Sequence, residues 1–168
     1  MGEVTRILFV CVGNICRSPT AEAVFRHQAD RAGWGGMFSV ASAGISGIHA
    51  GESPDHRTQR YAASRGYDLS RLRARQLGAE DFDRFDLILS MAVDVHEEVR
   101  RLQRLAGADA IEASLFLDFL PGHEGRDVPD PYYGAGDGFE TVLDLVEEGS
   151  HSLLRTLLKR QGVFGCGC

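Results

Sequence analysis

Arg6-Ile7-Leu8-Phe9-Val10-Cys11-Val12-Gly13-Asn14-Ile15-Cys16-Arg17-Ser18-Pro19 is the stretch that decides the fold. Residues 6–10 form a compact, mostly apolar run, the pattern of a strand buried on both faces. Pro19 suits the first position of a helix, with Ser18 as its N-cap. Strand, short loop and helix therefore follow one another directly. Such a loop turns backbone N–H groups and the positive end of a helix dipole toward one point, which makes it an anion site.

The rest of the chain repeats the alternation. Residues 86–91 read as a second buried strand, 38–43 as a weaker one ending at Gly44, and 110–115 as a fourth. Between them lie helical patterns. Ala21, Val24, Phe25, Gln28, Ala29 and Ala32 recur at helical spacing, with Gly33 as the stop. A helix is predicted over 54–65, ending at Gly66, and another through Val95, Val99, Leu102 and Leu105, ending near Gly107. The clearest runs through Phe139, Val142, Leu143, Val146, Ser150, Leu153, Leu154 and Leu157, with Gly149 as its one interruption. Strands alternating with helices predict an α/β domain around a parallel sheet, whose ligand sits at the C-terminal ends of the strands. No repeat or linker divides the chain. Residues 1–161 are expected to form one domain, with a loop over 121–137 rich in Gly, Pro and Asp. Residues 162–168 are expected to be a flexible tail.

Composition bounds the partners. The 168 residues carry 18 Lys and Arg against 24 Asp and Glu, a net charge of −6. That speaks against a nucleic-acid or anionic-membrane binder. An anionic ligand needs only a local positive pocket. The four cysteines, Cys11, Cys16, Cys166 and Cys168, are too few and too unevenly placed for a secreted disulfide framework. The N-terminal apolar stretch is too short for a signal sequence or a membrane span, so a cytoplasmic chain with reduced thiols is expected.

The residue types in the first loop suggest a reaction. Gly13 admits backbone conformations that a side chain forbids, and Asn14 tolerates the left-handed region while its amide can lock the loop. Arg17 offers a planar fork matched to two phosphate oxygens. Cys11, at the strand end among the N–H groups and beside Arg17, is expected to be a thiolate, and Ser18 can donate a hydrogen bond to it. A thiolate in a phosphate cradle (Val12, Gly13, Asn14, Ile15, Cys16, Arg17 and Ser18) points to phosphoryl transfer through a cysteinyl-phosphate. An alkoxide leaving group then needs a general acid. Asp130, in Asp130-Pro131-Tyr132-Tyr133, is the candidate. Pro131 stiffens the loop, and Tyr132 and Tyr133 can wall a cleft and stack on an aromatic substrate. Asp127 and Asp137 are alternatives without aromatic neighbours.

These residues resemble the low-molecular-weight protein tyrosine phosphatases over nearly the whole chain. The resemblance runs from the Cys11 to Ser18 loop through Ser42-Ala43-Gly44 and Arg73-Ala74-Arg75-Gln76 to Asp130-Pro131-Tyr132-Tyr133. It implies a four-stranded parallel sheet flanked by helices. It also implies Cys11 as nucleophile, Arg17 as phosphoryl-binding residue, and Asp130 as the acid of the first step that activates water in the second. Asn14 and Ser42 would brace the loop, and Cys16 would capture oxidised Cys11 as a reversible disulfide. Ile48 and His49 match a segment at the cleft rim that often carries tryptophan. Ile15 stands where similar protein-arginine phosphatases usually have threonine, which favours the tyrosine-specific branch. Leu72 and Ala92 depart from the histidine and aspartate of many relatives. The implied partners are phosphotyrosine-containing proteins or peptides, with inorganic phosphate as product, no cofactor or metal, and a monomer or weak dimer.

Three alternatives stay open on sequence. One is a protein-arginine phosphatase. An arsenate reductase also uses a Cys-x5-Arg loop, but it needs two further cysteines in mid-chain, where this chain has none. A zinc module could use the four thiolates, but their spacing is poor for it, and the six histidines are scattered.

Overall fold

The computed structural model describes residues 3–134 and 137–163. The opening apolar run becomes strand β1 (Thr5–Cys11), whose last five residues are all buried. It pairs in parallel with β2 (Phe38–Gly44) on one side and β3 (Leu87–Ser90) on the other, and β3 pairs in parallel with β4 (Glu112–Leu115). The order is β2-β1-β3-β4. The chain leaves β1 first toward one edge and later toward the other. The C-terminal end of β1 is therefore the topological switch point, where a crevice opens in sheets of this kind. Cys11 stands there, in register with Gly44.

Both faces of β1 are covered, as an apolar run without alternation requires. Ile7, Phe9 and Cys11 join a core with Phe25, Phe116, Val142 and Leu153, beneath α1 (Arg17–Arg31) and α5 (Asp137–Arg160). Leu8 and Val10 face the other way, onto Ile88, Phe82, Val95 and Val99, beneath α3 (Asp81–Arg84) and α4 (Val93–Leu105). The remaining helix, α2 (His56–Ser64), begins at Asp55, whose carboxylate accepts the Arg57 and Thr58 N–H groups. Gly33, Gly66 and Gly107 follow the ends of α1, α2 and α4 with positive φ, as helix stops do. Gly149 lies within α5, which continues through it. A Cβ there would lie 2.5 Å from the Phe116 ring, so the glycine is the seat of that ring.

One expectation is corrected. Ser18 is not the N-cap of α1 and Pro19 is not its first residue. The helix begins at Arg17, after Cys16, and no side chain caps it. Ser18 lies inside the first turn because its hydroxyl is engaged by Asn14 and Cys11. α3 was not foreseen; its four residues carry one apolar side chain, Phe82, too little for a periodic signal. Residues 164–168, with Cys166 and Cys168, lie outside the described residues.

Candidate active site

The loop after β1 is built around Asn14. Its φ of 58° is the one positive value at a non-glycine among the described residues. That left-handed turn is one asparagine tolerates better than most residues. Its side chain is 2% exposed and fully used. The amide donates to Ser18 Oγ at 2.8 Å and Ser42 Oγ at 3.0 Å, and Oδ1 accepts the Arg75 N–H at 3.0 Å. Ser42 Oγ donates its own hydrogen bond to Glu22 Oε1 at 2.6 Å, and Glu22 pairs with Arg26 at 2.7 Å. The loop is thus tied to α1, to β2 and to the segment that follows α2.

Gly44 has a steric role. A Cβ there would lie 2.7 Å from the Val12 carbonyl oxygen and 3.0 Å from the Asn14 nitrogen. β2 and the loop therefore touch backbone to backbone. The Arg73-Ala74-Arg75-Gln76 segment closes the same layer. Arg75 O accepts the Gly44 N–H at 2.8 Å, and Gly44 O accepts the Leu77 N–H at 2.7 Å. Arg75 forms an ion pair with the fully buried Asp81.

Among the described residues, no protein acceptor takes the N–H groups of Val12 through Cys16. Together with the uncapped first turn of α1, they leave unpaired donors around Cys11, the arrangement that an anion site requires. Cys11 is 3% exposed, and its Sγ lies 3.0 Å from Ser18 Oγ. Ser18 already accepts from Asn14, and its own hydrogen faces two acceptors, the Cys11 sulfur at 3.0 Å and the Ala43 carbonyl at 3.4 Å. The Arg17 side chain is 7% exposed; Nη1 donates to the Val128 carbonyl at 3.0 Å, and Nη2 lies 3.7 Å from Asp130 Oδ2.

A cleft of about 320 Å³ opens over these groups. Its floor is Cys11, Val12, Gly13, Ile15, Cys16 and Arg17, and its walls are Ile48, His49, Asp130, Tyr132 and Tyr133. Asn14, Ser18 and Ser42 lie behind the floor as its support. Ile48 and Tyr133 are 79% and 89% exposed, while Tyr132 and His49 sit lower on the rim. His49 is held by Glu52, with Nδ1 2.6 Å from Oε2. Tyr132 and Tyr133 meet edge to face at 4.9 Å.

The three candidate acids separate by position. Asp130 faces the cleft, its Oδ1 accepting the Tyr132 N–H at 3.0 Å. Asp127 is committed elsewhere. Its Oδ1 accepts the Val93 N–H at 2.7 Å and so caps α4. That supplies the cap that Ala92, an apolar residue buried in the second core, cannot. Asp137 lies in the first turn of α5, away from the cleft lining. Leu72 packs on the first core.

Comparisons with known proteins identify the family. The profile of the low molecular weight phosphotyrosine protein phosphatases matches residues 6–163. The chain belongs to that family. A low molecular weight protein-tyrosine-phosphatase of Streptomyces coelicolor is 45% identical over 153 residues, 89% of this chain and 91% of that one. The crystal structure of YfkJ from Bacillus subtilis superposes with a TM-score of 0.85 at 38% identity, covering 95% of this chain and 98% of that one. A Drosophila arginine phosphatase shares the fold at a TM-score of 0.84 and 27% identity, covering 90% of this chain and 96% of that one. Within this family fold, Glu22, Asp55 and Arg57 were not singled out from the sequence as site residues. Only Asp55 carried a signal, as a capping residue ahead of a helix.

Cys16 is a free, buried thiol like Cys11. Burial, more than its charged neighbours, pushes the Cys16 thiol up to about 12. Among the described residues, no helix is long and apolar enough to cross a membrane.

Proposed function

We propose that this chain hydrolyses phosphotyrosine monoesters in proteins or peptides, through a phosphoryl group carried transiently on Cys11 Sγ. In the first step the Cys11 thiolate attacks phosphorus and the P–O bond to the phenol breaks. Asp130, protonated, gives its proton to the departing oxygen. In the second step Asp130, now a carboxylate, takes a proton from the attacking water. The S–P bond breaks, inorganic phosphate leaves, and Ser18 donates its hydrogen bond to the released sulfur. Arg17 and the loop N–H groups hold the equatorial oxygens through both steps, where preorganised donors do most for the rate. Written this way, the reaction needs no metal or cofactor.

The observation that carries this reading is the placement of Cys11, Arg17 and Asp130 on one cleft whose free backbone donors surround the sulfur. The rim supports an aryl rather than a small alkyl substrate. Ile48, Tyr132 and Tyr133 give it apolar and aromatic walls above the charged floor. Cys16 is the resolving thiol in this proposal. Because burial keeps it protonated, it attacks an oxidised Cys11 slowly, the thiolate being the reactive form. The proposed setting is the cytoplasm.

The arginine phosphatase that shares this fold supports a second reading, hydrolysis of phosphoarginine. Ile15 on the cleft floor weighs against it, being apolar where the resemblance gives threonine to that branch. Phosphotyrosine, phosphoarginine and phosphoserine peptides of one sequence, offered to purified protein, separate the two. Higher kcat/KM on phosphotyrosine is expected; a preference for phosphoarginine overturns the reading.

A further inference from the structure

The N-terminus of α2 breaks a local rule. His56 and Arg57 are its first two residues, and its first turn holds no acidic side chain. A cation there opposes the helix dipole. Asp55 offsets this by gripping the guanidinium along one edge, with Nε at 3.2 Å and Nη2 at 3.1 Å. The Asp55 N–H donates to the Ile15 carbonyl at 2.9 Å, so this pair is fastened to the phosphate loop.

From that anchor Arg57 reaches the acid-bearing segment. Nη2 donates to the Tyr132 carbonyl at 3.1 Å, and the guanidinium carbon lies 5.5 Å from the Tyr132 ring centroid. It also lies 5.0 Å from the Phe139 ring of α5, which stacks on Tyr61 of α2 at 5.2 Å. Both geometries are within cation–π range. Arg57 itself is not part of the cleft lining.

The acid-bearing segment depends on this contact. Its upstream end is well held: the Val128 N–H donates to the Met91 carbonyl at 2.8 Å, and Val128 O accepts from Arg17. Downstream, Asp130 and Pro131 hydrogen-bond only to Tyr132 and Gly134, within the same turn, and the ion pair of Asp130 with Arg17 is long, at 3.7 Å. Among the described residues, the bond from Arg57 is the one hydrogen bond that reaches residues 129–134 from elsewhere in the chain.

We infer that Arg57 is the positioning residue for the general acid, locking the turn that carries Asp130 to the phosphate loop and to α2. The inference rests on the phosphatase reading above. A planar fork suits the task, because one edge binds Asp55 while the face packs on rings; lysine has neither.

The test is the dependence of kcat/KM on leaving-group basicity. A good leaving group, p-nitrophenolate, needs little protonation, whereas phenolate needs the acid. Arg57→Ala is expected to lose about tenfold on phenyl phosphate and less than about threefold on p-nitrophenyl phosphate, since a general acid supplies a factor of 10² or more and is misplaced rather than removed. Asp130→Asn gives the same pattern more strongly. Inhibition by inorganic phosphate is expected to be unchanged, because the cradle is intact. Arg57→Lys is expected to show the same steepening at smaller size, and it carries the test if Arg57→Ala does not fold by circular dichroism. Equal loss on both substrates, or no loss, overturns the inference. A wild-type protein inactive on every aryl phosphate overturns the phosphatase reading instead.

Discussion

Replacing Asn14 probes the loop most directly, because one side chain supplies both its turn and its ties. Asn14→Ala removes the donors to Ser18 and Ser42 and the acceptor of the Arg75 N–H. At about 0.5–1.5 kcal/mol net for each bond, the three together are worth about 2–4 kcal/mol. Alanine must also hold the φ of 58°, which adds about 1 kcal/mol that asparagine largely avoids. The expected loss is about 3–5 kcal/mol, a fall in Tm on the order of 10 °C for a chain of this size. Asn14→Gly separates the two causes. It loses the same bonds but accepts the backbone angle, so it is expected to be about 1 kcal/mol more stable than Asn14→Ala. Urea denaturation reads both differences as midpoint shifts at constant m. Both variants are expected to lose about 10² in kcat/KM on p-nitrophenyl phosphate, since small displacements of reacting groups are that costly. An Asn14→Ala protein within 1 kcal/mol of wild type and within threefold in activity would refute the reasoning.

Other expectations follow from the packing and the ionisable groups. Gly149→Ala drives a methyl into the Phe116 ring and is expected to cost about 1–3 kcal/mol by denaturation, with kcat/KM of the folded protein nearly unchanged. Gly44→Ala presses on loop backbone instead, so it is expected to lower kcat/KM as well as stability; steady-state kinetics on folded protein distinguish the two glycines. Burial raises the folded-state Cys16 thiol from 9.0 to about 12, so its contribution to stability is complete below pH 9 and is lost as pH rises toward 12. At about 1.4 kcal/mol per pH unit, Cys16→Ala is expected to flatten the alkaline fall in unfolding free energy by about 2 kcal/mol between pH 9 and 11.

The elements that position the site were legible because their signals are local. β1 shows as an unalternated apolar run, and α5 as a single stripe over about five turns. The loop between β1 and α1 shows through residue types whose chemistry is specific to phosphate. The error at Ser18 has a physical cause. A serine before a proline is the favoured N-cap, but Cys11 and Asn14 engage its hydroxyl, and Asn14 turns the chain so that the helix starts two residues earlier than the capping pattern suggests. The sequence prefers Asp130 over Asp127 and Asp137 for its aromatic neighbours; that Asp127 caps α4, 34 residues away, shows only in the fold. Glu22 and Arg57 were illegible for the same reason. Glu22 meets Ser42 across 20 residues and Arg57 meets Tyr132 across 75, and no local pattern marks either pair.

The central claim is that Cys11 carries the phosphoryl group. If Asp130 activates water in the second step, Asp130→Asn is expected to let the intermediate accumulate during turnover of p-nitrophenyl phosphate. Rapid acid quench, proteolysis and mass spectrometry of the Cys11 peptide measure it. The account predicts one added phosphoryl group on Cys11, absent from the Cys11→Ser protein, which is also inactive. Turnover by Cys11→Ser, or active Asp130→Asn protein with the phosphoryl group on another residue, would contradict it.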